Sequence, residues 1–118
     1  MEKKTITLDD GTEKECFVIY SLGNFMSGQT KENTRNSIIL NIDIVKSVET
    51  DRITIDRVDY IPIYMYKANS WTTGRYKVLD IEKSISNYES GIDKSIGQAT
   101  YVTLKNELNK IRTTMGEI

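Results

Sequence analysis

Two side chains that could do chemistry, Ser21 and Asn24, stand together in Tyr20-Ser21-Leu22-Gly23-Asn24-Phe25, where a β-rich run breaks on a glycine. Gly23 takes a positive φ without steric cost, and Asn24 tolerates the same region while bonding nearby backbone. The strand is therefore expected to turn sharply here, with Ser21 and Asn24 at the tip and Tyr20 and Phe25 anchoring the flanks. An ordinary strand exit accounts for the same residues, so any chemistry must come from their neighbours. A serine nucleophile needs a base, and the chain has no histidine. That removes Ser-His-Asp and Cys-His catalysis and every His-based zinc site. No motif lysine stands near Ser21 in its place. Cys16 is the single cysteine. It cannot form an internal disulfide, and at the start of an apolar strand it reads as a small buried thiol.

The carboxylates invite a metal reading. Asp51, Asp56 and Asp59 are close in sequence, but they fall in and around a strand and lack the spacing of a calcium loop. They read as surface charge. Asp9 and Asp10 belong to a turn, which explains them without function. Gly23 and Gly28 make no phosphate loop, because the G-x-x-x-x-G-K pattern and a following helix are missing. The residues alone assign no catalytic, cofactor-binding or metal-ligating side chain to this chain.

With 118 residues the chain fits one domain, large enough to bury a core. Hydrophobic residues make up 38% and charged residues 28%, unlike a disordered tail or a membrane protein. No apolar run approaches the ~20 residues of a membrane span. The N-terminus carries no apolar signal-peptide region, so any targeting segment is expected to lie outside this chain. The net charge is −1, and the basic residues form no run. Aromatics are not interleaved with them as a stacking groove would require, so nucleic acid is not an expected partner.

The elements that must position these residues follow from periodicity. Residues 3–8 and 14–20 read as strands around Asp9-Asp10-Gly11-Thr12, a hairpin signal. The second strand, Cys16 to Tyr20, is apolar on both faces and is expected inside a sheet. Residues 26–36 are polar and read as an exposed loop. Residues 37–46 alternate, with Ile38, Leu40, Ile42 and Ile44 on one face. A turn near residues 48–51 leads to a strand from Arg52 to about Tyr66, whose phase shift predicts a bulge near Asp56-Arg57. Pro62 within it argues for an edge position or a strand end, and Tyr60, Tyr64 and Tyr66 share one parity, half-buried. A loop carrying Trp71, a candidate contact residue, precedes a short strand at residues 76–79.

The last forty or so positions turn helical. Asp80 is expected as an N-cap, followed by Ile81, Ile85 and Tyr88, with Glu89-Ser90-Gly91 ending the helix. Ser95-x-x-Gln98 fits a capping box. Tyr101, Leu104, Leu108, Ile111 and Met115 then form a stripe expected to pack on the sheet or the first helix, closed by Gly116. The fold class is thus α+β: a mostly antiparallel β portion over residues 1–79 and a C-terminal helical hairpin over 80–118. Together they form one domain, or the C-terminal part of a larger one.

The order of these features resembles the C-terminal part of bacterial capsule-synthesis proteins of the CapA family, which are tied to poly-γ-glutamate capsules. Tyr20 to Phe25 is similar to that family's YSLGNF signature. The polar loop, the strand at Ile38–Val45, Val58-Asp59-Tyr60-Ile61-Pro62 and Tyr76-Lys77-Val78-Leu79 follow in the family's order. The resemblance implies part of a calcineurin-like metallophosphoesterase β-sandwich. The family's Asp, Asn and His ligand motifs would lie before Met1, and none can be placed on this chain. A divalent metal is thus implied only for the full-length parent. The turn Ser21, Leu22, Gly23, Asn24 and Phe25 would lie near the parent's site.

Two readings follow. In one, the chain is a segment of such a protein, inactive alone, acting within a parent at the bacterial cell surface. Its partner would be the missing N-terminal part of its own domain, with self-association through an exposed sheet face in that part's absence. In the other, it is a self-standing β-rich interaction module with no enzymatic activity.

Overall fold

A computed structural model of the chain describes residues 1–25, 27–29, 31–68 and 76–116; Trp71 lies outside the described residues. Strands β1 (Glu2–Thr7), β2 (Glu13–Val18), β3 (Asn36–Lys46), β4 (Ile53–Lys67) and β5 (Tyr76–Asp80) precede helices α1 (Ile81–Glu89) and α2 (Gln98–Met115). The fold is α+β. All pairings are antiparallel, in a two-stranded sheet β1-β2 and a three-stranded sheet β3-β4-β5.

The first hairpin is closed by the turn the sequence specifies. Gly11 takes φ +82°. Asp10 Oδ1 accepts from the Thr12 backbone N–H at 2.9 Å and from the Thr12 hydroxyl at 2.6 Å. These bonds hold the Asp10 carboxyl below the usual aspartate range, the Thr12 hydroxyl contributing most. The expectation that β2 lies inside a sheet is overturned. Among the described residues β2 pairs only with β1, and this ribbon packs against no other strand or helix. The apolar run of Cys16 to Val18 is half-buried, because the chain leaves the ladder after Val18 and it is Ile19 that packs against the core.

β3 and β4 form a long ribbon in which Asp43 faces Arg57 but Ile44 faces Ile55. Asp56 is therefore the extra residue of a bulge, where the phase of the apolar pattern changes. Pro62 does not mark an edge strand, since β4 is the central strand of its sheet. The reason it is tolerated lies in the register. The Met65 N–H donates to the Arg35 carbonyl at 2.8 Å. Counting from that bonded pair, the alternation of an antiparallel ladder puts Pro62, opposite Ile38, in a non-hydrogen-bonded pair. Its nitrogen thus faces the β5 side, where pairing begins only at Ile63. The missing N–H costs no ladder bond there.

The Ile38–Pro62–Tyr64 face of the sheet receives both helices. Asp80 caps α1, its Oδ1 accepting from the Lys83 N–H at 3.0 Å. Ile81 behind it is fully buried. The expected Ser95–Gln98 capping box does not form: Gly97 is the N-cap and gives no side-chain bond. Gln98 is drawn elsewhere, its Oε1 accepting from the Tyr88 hydroxyl at 2.8 Å. Ser95 spends its N–H on Asp93 Oδ1 at 2.8 Å. The stripe on α2 does pack as expected. Leu104, Leu108, Ile111 and Met115 join Ile38, Tyr64, Ile81 and Ile96 in one core, and Tyr101 stacks on Tyr88 with ring centroids 4.6 Å apart. Each fully buried aliphatic side chain of this set stabilises the fold by roughly 1.5–3 kcal/mol.

Tyr64 is buried rather than half-buried, while Tyr60 and Tyr66 are intermediate. β4 is covered on both faces from Pro62 to Met65. On the face away from the helices, the Ser27 N–H lies against Met65 and donates to its Sδ at 3.2 Å. The distal half of the β3–β4 ribbon has no such cover. Ile42, Ile44, Val45, Ile53 and Ile55 are exposed there.

Candidate functional site

The turn from Ser21 to Phe25 is fastened to the start of β3. Gly23 takes φ +80° and forms an antiparallel bridge with Ser37. Leu22 presents its carbonyl to β3, accepting from the Ser37 hydroxyl and from the Ile38 N–H, the latter at 3.4 Å. A Cβ on Gly23 would stand 3.0 Å from the Asn36 carbonyl oxygen. Glycine is thus required twice over, by the dihedral and by the closeness of the neighbouring backbone.

The two chemistry-bearing side chains of the turn are occupied within it. Ser21 Oγ accepts from the Gly23 N–H at 3.2 Å, which closes the bend and puts no base beside the hydroxyl. Asn24 Nδ2 donates to Gln29 Oε1 at 2.6 Å and to the Thr34 carbonyl at 3.5 Å, pinning the polar loop that follows. Tyr20 and Phe25 do not anchor the flanks: they are 73% and 58% exposed. The Leu22 carbonyl, which accepts from the Ser37 hydroxyl and the Ile38 N–H, holds the turn to β3 instead, and both rings face solvent.

Next to the turn an open groove of about 740 Å³ runs between Leu22, Ser37 and Ile38 on one side and Lys110, Ile111 and Thr114 of α2 on the other. One end is built on a polar cluster that sequence reasoning missed. Glu107, largely buried, accepts from Asn36 Nδ2 through Oε2 and from Lys110 Nζ through Oε1, the latter at 3.0 Å. Lys110 Nζ also donates to Asn33 Oδ1 at 3.1 Å and lies 3.6 Å from Glu32. The bond to Glu107 raises the Lys110 ammonium above the usual lysine range, with the nearby carboxylate charges adding to it. A sequence signal was present: Glu107 interrupts the apolar stripe between Leu104 and Leu108, and an acidic residue in a buried row needs a partner. The partner Asn36 stands 71 positions away, beyond any local pattern.

Asp51 and Asp56 are exposed and Asp59 intermediate. Asp51 pairs with Lys46 at 3.0 Å and Asp59 with Arg57 at 2.8 Å, so each is held by its own cation rather than turned toward the others. Among the described residues no group of three or more His, Cys, Asp or Glu side chains converges as a metal ion would require. Asp51, Asp56 and Asp59 thus do not converge on a common centre. Cys16 is free and half-buried. No helix among the described residues is long and apolar enough to cross a membrane.

The arrangement joins a glycine turn fastened to a strand, a groove against a helix, and a buried carboxylate held by Asn36 and Lys110. Comparison with protein-family models, with curated proteins and with solved structures finds no match for the chain. By its own geometry it has an α+β fold of a two-stranded and a three-stranded antiparallel sheet followed by two helices.

Proposed function

We propose that the chain is the C-terminal segment of a CapA-like protein of bacterial capsule or poly-γ-glutamate biosynthesis, inactive by itself. The observation that carries this reading is the Tyr20–Phe25 motif at its observed place. Its glycine holds φ +80° against the β3 backbone, so the residues that resemble the family signature are under a geometric demand. Exposed Ile42, Ile44, Ile53 and Ile55, which share one face of the β3–β4 ribbon, also support it, as apolar surface suited to a covering layer. In this reading the N-terminal part of the same domain supplies that layer and any divalent-metal ligands. Without it, copies of the chain self-associate through the exposed face. The parent works at the cell surface.

A second reading, a self-standing interaction module without catalysis, draws on the core that the two helices close against β3 and β4. The coding DNA upstream of the Met1 codon separates the two. An open frame running back through a Pro-His pair and earlier Asp, Asn and His motifs is expected. A stop codon with a ribosome-binding site directly ahead of Met1 would overturn the first reading in favour of the second.

A further inference from the structure

β3 stands at the end of the strand order β3-β4-β5, and Gly23 bridges to its outer side at Ser37. The ladder settles which main-chain groups face outward. The Met65 N–H donates to the Arg35 carbonyl and the Ser47 N–H to the Arg52 carbonyl, so both pairs point across the ribbon. The extra residue of the bulge, Asp56, belongs to β4, and the alternation along β3 is unbroken. Counting inward from either end turns the N–H and C=O of Ile38, Leu40, Ile42, Ile44 and Lys46 outward. Ile38 is served, its N–H donating to the Leu22 carbonyl at 3.4 Å. Among the described residues no strand pairs with the edge from Ile39 to Lys46. A long apolar edge of this kind is a template for another strand. Asp43 is the one charged residue from Ile39 to Val45.

We propose that a second copy of the chain fills this edge, β3 against β3, antiparallel about a two-fold axis at Ile42. The edge is self-complementary in that register. Ile42 faces the partner's Ile42 and Leu40 the partner's Ile44, and each pair exchanges both of its N–H···O bonds. On the opposite face of the sheet Asn41 stands beside the partner's Asp43, an amide donor for a carboxylate. Ile39 stands there beside the partner's Val45, two side chains exposed in the single chain. Neighbouring registers lack this match. A centre at Asp43 sets two carboxylates opposite each other, which is destabilising. A centre at Asn41 calls on the Ile38 N–H that Leu22 already holds, and it sets Ile39 against a carboxylate. The length fits as well. The Gly23 bridge at Ser37 and the turn at Ser47 bound the open edge, and Ile42 lies midway between them. Paired this way, the two three-stranded sheets run on as one. The contact uses the strand edge rather than the apolar sheet face, and it does not depend on the capsule reading.

The test is cysteine cross-linking of the full chain in a glutathione redox buffer, with Cys16→Ser as background, read on non-reducing gels. In a hydrogen-bonded antiparallel pair the two Cα atoms stand about 5.5 Å apart, within disulfide reach. Ile42→Cys is therefore expected to give a linked dimer. Ile44→Cys is not, because position 44 of the partner lies a further Leu40-to-Ile44 span along the strand, roughly 14 Å away. Ile44 shares the face of Ile42 and is more exposed, 65% against 42%. Random collision or face-to-face stacking would thus link position 44 at least as well. Linking at both positions alike, at 44 alone or at neither overturns the proposal. So does sedimentation of the unsubstituted chain as a monomer at about 0.1 mM, where micromolar affinity would pair it. Ile42→Pro supplies a second arm. It removes an outward N–H and no ladder bond, as Pro62 does in β4. It is expected to keep the circular dichroism spectrum and to sediment as a monomer, and a folded variant that remains dimeric overturns the edge pairing.

Discussion

Replacing Gly23 by alanine tests whether the turn is held by its contact with β3 or merely tolerates a glycine. Alanine at φ +80° meets the general cost of left-handed backbone for an L-residue, about 1–2 kcal/mol. A second cost is particular to this site. The new Cβ would lie 3.0 Å from the Asn36 carbonyl oxygen and 3.4 Å from Ser37 Cβ and Oγ. The strand must give way, loosening the bonds from the Ser37 hydroxyl and the Ile38 N–H to the Leu22 carbonyl. A typical intramolecular hydrogen bond contributes about 1 kcal/mol net, so Gly23→Ala should cost about 2–4 kcal/mol in all. Gly91 supplies the control: it has φ +72° but nothing within 4 Å of an added Cβ, so Gly91→Ala should cost only the dihedral term of about 1–2 kcal/mol. Urea unfolding followed by circular dichroism would read the difference as a midpoint gap of roughly 1 M, given slopes near 1–3 kcal/mol/M. Amide exchange at Ile38 should quicken in Gly23→Ala and not in Gly91→Ala. Equal losses in the two variants, with Ile38 exchange unchanged, would refute the reasoning and make the close approach energetically irrelevant.

Leu104→Ala removes a fully buried side chain from the face of α2 that meets the sheet. It should cost about 2–5 kcal/mol in urea unfolding; a loss under 1 kcal/mol would mean that α2 does not close the core. Asp10 tests the first hairpin by titration. Its carboxyl is held low chiefly by the Thr12 hydroxyl and then by the Thr12 N–H, so ionised Asp10 favours the turn. That stabilisation is present above the ordinary aspartate range and is lost as the pH falls through the lowered value of the folded chain. In an NMR titration, Thr12→Val should move the Asp10 midpoint upward, toward an ordinary aspartate. An unchanged midpoint would show that the hydroxyl bond is not formed in solution.

Much of the local structure was legible because its causes are local. Asp10-Gly11, the bulge at Asp56, the Asp80 cap and the stripe from Leu104 to Met115 each rest on residues within a few positions of one another, and the structure keeps them. The capping box at Ser95 was local as well and still failed, since Tyr88 offered Gln98 a hydroxyl across the helical hairpin. The Ser21–Phe25 turn was legible in its glycine but not in its flanks, where Tyr20 and Phe25 stay exposed.

The sequence by itself determined the α+β class, the order of elements and the glycine at the turn, because periodicity and dihedral limits act along the chain. Only the tertiary structure decided that β2 pairs with β1 alone, that Pro62 can sit in a central strand, and that Glu107 meets Asn36 and Lys110 beside an unpartnered Arg35. Those outcomes depend on which distant backbone or charge arrives at a given place. Strand neighbours and the burial of polar groups are settled by the contacts that close the core, and for Glu107 and Asn36 no short window of sequence contains both partners.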